Sequence, residues 1–576
     1  MDLPEAHPLI RVKRRLGRIK RYVKRRWWER NVGKEYKAWL LQSQQQPADL
    51  VDNHAPIAVI VPVYNPPVRF LEECLSSVTN QTARHWQLIV SDDGSTNPDV
   101  CEYLDRFEAH HADDPRVTVI RNTNAGISAA QNRALDHVTT EYFGWLDHDD
   151  QLNPRAIELI SVAIERAPSP PQVVYSDEDK IDSKGEHFEL YCKPGFSPEL
   201  LLTQMYLCHF TVFLTDLVRR HQGFRSEMDG AQDFDLALRL LPELTDVVHI
   251  PHPLYHWRAW SESTALTIDA KPWAQQAAAR AQQEYLDNDH GGTVEPSKIP
   301  GLNDVHPAIT SNAIVSVVIP TIGTCDPRTG ERFIDTAIDS LRKAETTVPL
   351  EVIAVTTGVI DPIPSADQQV VYQPSGDFNF AEAVNLGRIH AKGEYLLILN
   401  DDTTAADPNP VTRLLEIGQR AGVGAVGAKL TYPDGRLQHA GIVLLPSGPT
   451  HAHIARPGNF AGYFGSTLTP RNFSAVTAAA MLTPTRVFDE LGGFDEAFAR
   501  DFNDVDYCLR LRKAGYRVAW TPYAHLTHHE GASIVRKAAN PSELAEFHRR
   551  WADAYQVDPY YSPALNPVLE RIYEAL

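Results

Sequence analysis

The chain is poor in cysteine and has no long apolar run. Six of its 576 residues are cysteine, at positions 74, 101, 192, 208, 325 and 508, and none forms a C-x-x-C pair. This spacing argues against a disulfide framework and against a structural zinc site, and it favours a reducing cytoplasm. The apolar stretches fall far short of the ~20 residues that a membrane span requires. No apolar core follows the basic N-terminus, so we expect neither a polytopic membrane protein nor a secretory signal.

The overall composition is that of a soluble globular protein, but the charge is unevenly distributed. Apolar residues make up 43% of the chain and charged residues 22%, which are ordinary values. The net charge is −19, yet residues 11–30 hold eleven Lys or Arg against one Glu, so the rest of the chain carries −29. A nucleic-acid enzyme normally has a basic binding face. An acidic body with a basic arm therefore predicts no nucleic-acid partner.

The basic arm has the pattern of an amphipathic helix. Val12, Leu16, Ile19 and Val23 recur every three or four residues among the cations, followed by a Trp pair at 27–28. Trp favours the membrane interface, and each basic residue near an anionic surface contributes ~1 kcal/mol. We expect the arm to attach the protein peripherally to anionic lipid at the inner face of the cytoplasmic membrane. The alternative is a helix that packs on the acidic body.

An internal repeat organises the rest of the chain. Strand-like and helix-like patterns alternate in each half, which predicts an α/β fold with a mostly parallel sheet. The landmarks keep the same order in both halves. The repeated segments are 57–64 and 315–322, 87–94 and 351–358, 130–135 and 383–387, 142–150 and 395–403, and 231–239 and 502–510.

The repeat defines the predicted domains. Residues 1–54 are the arm and its joint, 55–300 the first domain, 312–545 the second domain, and 546–576 a C-terminal extension. Between the domains, residues 287–310 are rich in Gly, Pro, Asn and Asp, which predicts a linker. We place that linker at 301–311.

Acidic residues follow two predicted strands of the first half. Asp92 and Asp93 end one strand, and Asp147, Asp149 and Asp150 follow another. Parallel sheets bind ligands beyond the carboxyl ends of their strands. Carboxylates gathered there repel one another unless a cation lies among them, and a divalent metal with oxygen ligands can also hold a diphosphate. The alternative is that these residues form loops and helix caps, but recurrence of the ordered set favours a functional site.

Taken together, five motifs resemble those of the family 2 nucleotide-sugar glycosyltransferases with the GT-A fold. They are P-V-Y-N at 62–65, S-D-D-G-S at 91–95, N-A-G-I-S-A-A-Q-N at 124–132, L-D-H-D-D at 146–150 and Q-D-F-D at 232–235. The resemblance runs from about residue 57 to 530 and implies two tandem GT-A domains with Rossmann-like sheets. Residues 175–182 and 193–198 more narrowly resemble tandem-domain enzymes of bacterial O-antigen and surface-polysaccharide synthesis, of rhamnosyltransferase type.

The resemblance implies roles for residues of the first domain. Asp233 would be the catalytic base, Asp149 and His256 would hold the metal, and Asp147 would lie near the ribose. Arg258 would serve the leaving group. The other residues that it implies for donor binding are Pro62, Tyr64, Asn65, Asp92, Asp93 and Asn132. The alternatives are a packed core histidine for His256 and a helix cap for Asp233.

The second domain repeats only part of this set. Asp504 would be the base, while Asp402 and His528, or its neighbour His529, would hold the metal. The donor-binding residues would be Thr321, Thr356, Asn385 and Asp401. Thr356 and Thr357 replace an Asp pair, Ile322 and Gly323 replace Tyr-Asn, and Asn400 replaces the first Asp of D-x-D. Two hypotheses stay open: two active centres, or one catalytic domain with a degenerate copy that binds glycan or organises assembly.

The resemblance implies an inverting, metal-dependent hexosyl or deoxyhexosyl transferase. It would use Mn²⁺ or Mg²⁺ to transfer sugar from a UDP- or dTDP-sugar to a glycan acceptor, in particular a growing lipid-linked glycan. A single displacement at the anomeric carbon needs a base on the acceptor hydroxyl and charge neutralisation on the departing diphosphate. A sugar-nucleotide-forming nucleotidyltransferase is a distant alternative. It would need a Gly-rich, basic loop after the first strand, and residues 63–67 contain neither Gly nor Lys.

Overall fold

The computed structural model describes residues 55–566 and Tyr573, except for 261–271, 298, 300, 311–312, 359, 374–375 and 530–538. The arm predicted at 1–54 lies outside the described residues. Within the described part of the chain, no helix combines the length and apolar character needed to cross a membrane.

The first domain is a nine-stranded mixed sheet with helices packed against it. Its strands are β1 Ile57–Val63, β2 Trp86–Asp92, β3 Val117–Arg121, β4 Tyr142–Trp145, β5 Gln151–Leu152, β6 Val173–Asp182, β7 His187–Tyr191, β8 Val212–Leu214 and β9 Val247–Ala259. Its helices are α1 Val68–Thr79, α2 Pro98–His110, α3 Ile127–Asp136, α4 Ala156–Arg166, α5 Pro198–Leu201, α6 Thr215–Arg220, α7 Gln232–Leu240 and α8 Pro272–Asp289. The strand order is β3-β2-β1-β4-β8-β6-β9-β5, and β7 pairs with β6.

The apolar sequence of the central strand explains its position. All seven residues of β1 are buried, because a parallel strand covered by helices on both faces must be apolar throughout. β1 runs parallel to both β2 and β4. The loops after these three strands therefore emerge at one edge of the sheet.

A short hairpin connects the two domains. β10 Gly292–Pro296 and β11 Asn303–Pro307 pair antiparallel. His306 Nδ1 lies 3.1 Å from Glu416 Oε2, and the Tyr523 hydroxyl donates to Asp304 Oδ1 at 3.3 Å. Residues 301–311, predicted as the linker, include β11, which packs on the second domain.

The second domain repeats the first. Its main-sheet strands are β12 Val315–Thr321, β13 Leu350–Thr357, β14 Gln368–Tyr372, β15 Tyr395–Leu399, β16 Thr403–Ala405, β17 Val423–Thr431, β18 Leu437–His439, β21 Arg471–Asn472, β22 Ala480–Pro484 and β23 Arg517–His528, while β19 Ile442–Leu445 and β20 Gly448–His451 form a separate hairpin. Its helices are α9 Phe333–Ala344, α10 Phe380–His390, α11 Pro410–Gly418, α12 Thr485–Glu490, α13 Asn503–Lys513 and α14 Pro541–Trp551.

The order of this sheet matches the first strand for strand. It runs β14-β13-β12-β15-β22-β17-β23-β16, and β18 pairs with β17 as β7 pairs with β6. The α/β class and the tandem duplication predicted from the sequence are therefore confirmed.

Buried polar contacts join the two domains. Glu199 is almost fully buried in the first domain and accepts a hydrogen bond at 2.9 Å from the Arg517 guanidinium of the second. Nearby, the Ser197 hydroxyl donates to Asn472 Oδ1 at 2.7 Å. Gly195 N donates at 2.7 Å to the carbonyl of Pro559, in the C-terminal segment. The extension beyond α14 is thus part of the interface.

We predict that Glu199→Gln weakens this interface. Despite burial, Arg517 lowers the pKa of Glu199 below its ordinary value. The substitution keeps the side-chain shape but leaves the Arg517 charge without its partner. Because Arg517 keeps partial contact with solvent, we expect a loss of about 2 kcal/mol in urea unfolding. Asp434→Asn, which breaks an exposed pair with Arg436, is the control and should change nothing measurable. Equal stability of Glu199→Gln and the wild type would contradict the prediction.

Candidate active site

The second domain has a cavity of about 600 Å³ at the carboxyl edge of its sheet. Residues from four separate elements converge on it, because the loops after β12 and β15, the start of α13 and the end of β23 all open at that edge. Five of the residues predicted for this domain line the cavity: Thr321, Asp401, Asp402, Asp504 and His528.

Asp402 and His528 form a pair that suits a metal ion. His528 Nε2 lies 2.9 Å from Asp402 Oδ1, and both side chains are more than nine-tenths buried. The other ring nitrogen, Nδ1, lies 2.8 Å from Gln438 Oε1, which can only accept a hydrogen bond from it. A proton on Nδ1 leaves the Nε2 lone pair directed toward Asp402. In metal sites the ring nitrogen that does not bind the ion usually donates such a hydrogen bond, and this orients the histidine.

Asp401 is held beside this pair. The Thr321 hydroxyl donates to Asp401 Oδ2 at 2.6 Å. Burial, helped by the charge of Asp402, raises the pKa of Asp401 to about 6. Thr321 therefore positions a carboxyl of the cavity wall.

Asp504 lies in the first turn of α13 and faces the cavity. Its carboxylate accepts hydrogen bonds from the backbone N–H groups of Val505 and Ala478, at 2.8 and 3.1 Å. Burial raises its pKa. Asp506, two residues later, is fully buried and bonded to Arg510 at 2.8 Å. Asp504 thus faces the cavity, while Asp506 forms an ion pair within α13.

The first domain divides the same motif in the same way. Asp233 accepts from the N–H of Phe234 at 2.8 Å. Burial raises the pKa of Asp233 above its ordinary value. The hydrogen bond from Phe234 and the positive charge of the nearby His209 offset only part of this rise. Asp235 is instead buried between the guanidinium groups of Arg225 and Arg239.

The D-x-D loop of the first domain presents its two aspartates differently. Asp147 is 37% exposed, whereas Asp149 Oδ2 accepts a hydrogen bond from Trp260 Nε1 at 2.8 Å. Asp150 is buried, accepting from the N–H of Arg258 at 2.6 Å and from the Tyr255 hydroxyl. Burial and the two neighbouring carboxylates raise the pKa of Asp150 well above its ordinary value. Asp150 anchors the loop and leaves Asp147 and Asp149 at the edge.

His209 is a residue of this site that sequence reasoning missed. Its Nε2 lies 3.9 Å from Asp147 Oδ2 and its Nδ1 lies 3.6 Å from Glu178 Oε2. Burial opposes the charged form, but Glu178 and the aspartates outweigh it and raise the pKa of His209 to about 9. A lone histidine inside the apolar segment 206–214 gives no signal in the sequence.

A comparison with known families identifies the first domain. Residues 58–221 match the sequence model of the family described as "Glycosyl transferase family 2". The first domain belongs to glycosyl transferase family 2. The predicted resemblance is confirmed for this domain.

Two curated relatives extend over both domains. The uncharacterized protein y4gI of Sinorhizobium fredii is 36% identical over 537 residues, which is 89% of this chain and 58% of that protein. The O-antigen biosynthesis protein RfbC of Myxococcus xanthus is 32% identical over 527 residues, or 88% of this chain and 40% of RfbC. The chain thus spans about half the length of these relatives.

Solved structures give a weaker match. Staphylococcus aureus TarS 1–349 in complex with UDP is 18% identical, with a TM-score of 0.30 over 40% of this chain and 71% of TarS. At this level the likeness assigns no ligand.

The strand register separates His256 from its predicted counterpart, His528. In the first domain Gln151 pairs with His256, whereas the equivalent residue of the second domain, Thr404, pairs with Thr527. Trp257 therefore occupies the position of His528. A shift of one residue along a strand turns the side chain to the opposite face. His256 Nδ1 accordingly lies 2.6 Å from Asp179, so the similar spacing of 23 or 24 residues from Asp233 and Asp504 does not make the two histidines equivalent.

Arg258 supports the D-x-D loop. Its side chain is fully buried, and its guanidinium donates to the Asp149 carbonyl at 2.6 Å and to Glu73 at 2.7 Å. A role of Arg258 toward the leaving group stays a prediction.

Two asparagines predicted to bind the donor are structural clamps. Asn132 accepts from the N–H of Phe224 at 2.8 Å and donates to its carbonyl at 2.7 Å. Asn385 makes the same pair of bonds to Phe494, at 3.0 and 2.9 Å. The backbone thus fixes both ends of each side-chain amide, and contact of either residue with a donor stays a prediction. The shared clamp is a further sign of the duplication.

The remaining predicted donor residues of the first domain lie around the β1 and β2 loops. Asn65 accepts from the N–H groups of Thr96 and Asn97 and so ties these loops together. Pro62 contributes a carbonyl that lies 3.1 Å from His148 Nδ1. Tyr64 is 48% exposed, which leaves its ring free to stack on a base. Contact of these residues with a donor stays a prediction.

The acidic pair after β2 is also engaged in loop contacts. Asp93 accepts from the N–H groups of Ala125 and Gly126, both at 2.9 Å, and Asp92 accepts from Ser95 N at 3.1 Å. In the second domain, the hydroxyl of the fully buried Thr356 donates to the carbonyl of Gly358 at 3.3 Å. Base recognition by these positions stays a prediction.

The raised pKa of His209 predicts a pH dependence of stability. Its folded-state pKa of about 9 lies above the ordinary 6.5, so the imidazolium contributes stability below pH 6.5 that is lost as the pH rises through 9. His209→Gln cannot make this contribution. We expect wild type to lose on the order of 3 kcal/mol relative to His209→Gln between pH 7 and 10, measured by urea unfolding at each pH. Parallel pH profiles of the two proteins would show the prediction to be wrong.

Proposed function

We propose that the chain is an inverting glycosyltransferase with two active centres, which extends a bacterial surface glycan from nucleotide-sugar donors. The observation that carries the proposal is the second-domain cavity, where the Asp504 carboxylate shares one wall with the Asp402–His528 pair. The family 2 match of the first domain supports the reaction class. The name of the RfbC relative, an O-antigen biosynthesis protein, supports a surface glycan as the product.

Asp504 and Asp233 are proposed as the two bases. In a single displacement, the acceptor hydroxyl gives its proton to the Asp carboxylate, its oxygen bonds to the anomeric carbon from the face opposite the leaving group, and the nucleoside diphosphate departs. Burial raises the pKa of both carboxyls. A raised pKa makes each carboxylate a stronger base toward the acceptor hydroxyl.

The residues of the second domain fit a divalent metal. A buried carboxylate facing an imidazole nitrogen whose proton lies on the far side is a suitable donor set for Mn²⁺, and less so for Mg²⁺, which prefers oxygen ligands. Asp402 and His528 would hold the ion, which when bound neutralises the leaving diphosphate. In the first domain Asp149, beside Asp147, would take this role without a histidine, and the imidazolium of His209 adds positive charge near Asp147.

The alternative is a single catalytic domain with a degenerate second copy that binds glycan or organises assembly. Asn400 in place of an aspartate and the buried Thr356 favour it. The cavity of about 600 Å³ in the second domain, with the buried Asp402 and His528 and the carboxylate of Asp504 in its wall, favours two centres. The donor (a UDP- or dTDP-sugar), the lipid-linked acceptor and attachment of the arm to anionic membrane are further parts of the proposal.

Replacing each base separately tests the two-centre proposal. Asp504→Asn and Asp233→Asn keep size and hydrogen bonding but remove the proton acceptor, so each should lower one transfer by about 10²–10⁴-fold. We expect two different linkages to be lost, measured by product analysis with a panel of nucleotide sugars. Asp434→Asn, on the surface, serves as the control. Loss of the same single product in both variants would reject two independent centres and show that the halves form one site or act in obligate sequence. Full transfer by Asp504→Asn would leave the single-domain alternative.

The metal assignment is tested by His528→Asn. This change removes an imidazole ligand beside Asp402, so the full chain should lose one Mn²⁺ site in titration calorimetry. The second transfer should fall, and the first should continue. His390→Asn, at an exposed helix end, is the matched control. Unchanged Mn²⁺ stoichiometry and full activity in chelator would rule out the assignment.

A further inference from the structure

Three neighbouring strands of the first domain bring together Asp179 on β6, His187 on β7 and His256 on β9. His256 Nδ1 lies 2.6 Å from Asp179 Oδ1, and His187 Nδ1 lies 2.8 Å from Asp179 Oδ2. One ligand atom from each residue lies within 4.8 Å of the others, and no other such group of three occurs in the part of the chain that the structure describes. We call this the His-Asp-His cluster.

The cluster is separate from the D-x-D loop. Side chains alternate between the two faces of a strand. Tyr255 of β9 bonds to Asp150 beneath that loop, whereas the next residue, His256, turns to Asp179. The cluster therefore has its own surroundings, and neither the reaction nor the proposed catalytic metal uses it.

We propose that the His-Asp-His cluster binds Zn²⁺ as a structural metal site of the first domain. Two imidazole nitrogens and one carboxylate oxygen are ligands that Zn²⁺ takes in proteins, with water able to fill the fourth position. Mg²⁺ and Ca²⁺ prefer oxygen ligands alone, so the donor set selects against them.

The electrostatics of the cluster favour a cation. Asp179 is fully buried, and a buried carboxylate requires a compensating positive charge or strong hydrogen bonds. Both oxygens of the Asp179 carboxylate face an imidazole nitrogen, one from His256 and one from His187. The rival arrangement without metal has both rings donating Nδ1–H to Asp179.

Zinc binding needs an adjustment of under 1 Å. Ligand atoms about 2.0–2.1 Å from a tetrahedral zinc ion are roughly 3.3 Å apart, so the 2.6 and 2.8 Å contacts must open by roughly 0.7 and 0.5 Å. His187 lies on β7, which among the described strands pairs with β6 alone, and its side chain is 24% exposed. This exposed side of the cluster would be the entry path that a metal needs.

Zinc at this position would connect β7 and β9 through β6. β9 also carries Arg258, whose guanidinium holds the Asp149 carbonyl. The site would therefore stiffen the strand that supports the D-x-D loop. Cysteine spacing gives no signal for this site, because the site contains no cysteine and its three ligands are 8 and 69 residues apart.

The test uses the full chain, stripped with a chelator and titrated with ZnCl₂ by calorimetry. His187→Asn places an amide N–H where Nδ1 stood, so it preserves the hydrogen bond to Asp179 of the rival arrangement but removes the ligand. We expect wild type to bind one zinc ion at least 100-fold more tightly than this variant. Zinc should also raise the melting temperature of wild type but not that of His187→Asn.

Two controls separate this site from others. The double variant Asp149→Asn/Asp402→Asn removes both proposed catalytic sites and should keep the tight zinc ion. His290→Asn, at an exposed histidine, should keep it as well. His187→Gln is a second ligand-removing variant and should lose it. The proposal is overturned if either His187 variant retains tight zinc binding, if the double variant loses it, or if zinc neither binds wild type tightly nor raises its melting temperature.

Discussion

The complete burial of one parallel strand in each sheet, β1 and β12, is the constraint on which both sites depend. Every residue of these strands is buried, which is what parallel strands show when helices cover both faces of the sheet. The loops that follow then open at a single edge. Carboxylates that are more than 80 residues apart in the chain, such as Asp149 and Asp233, come to that edge for this reason.

The alternation of side chains along strands decides which residues face each cavity. In β23 it turns His528 toward Asp402, and in β9 it turns Trp257 to the equivalent place and His256 toward Asp179. Because the period is two, one residue of offset separates a proposed catalytic ligand from a member of a different cluster. Conserved spacing along the chain does not resolve such an offset, but strand register does.

The two domains keep one scaffold but carry different polar side chains at its carboxyl edge. The pairs Asn132–Phe224 and Asn385–Phe494, and the buried Asp235 and Asp506, keep the same structural roles in both halves. At the carboxyl edge of the sheet the halves diverge: strand pairing places Ala479 where the first domain has His209. Buried ionic contacts such as Glu199 with Arg517 join the domains. A duplicated fold with exchanged polar side chains is the physical basis on which two centres are proposed.

The amino-acid sequence by itself determined the duplicated α/β architecture, the first-domain family, and the candidate carboxylates Asp147, Asp149, Asp233, Asp402 and Asp504. These follow from apolar strand runs and from aspartates directly after them, which are local patterns. Only the tertiary structure decided the contacts of His209, His256, Arg258 and Asn132, and it placed the β10–β11 hairpin between the domains. Those contacts depend on strand register and on approaches between distant segments, and neither is encoded in local spacing.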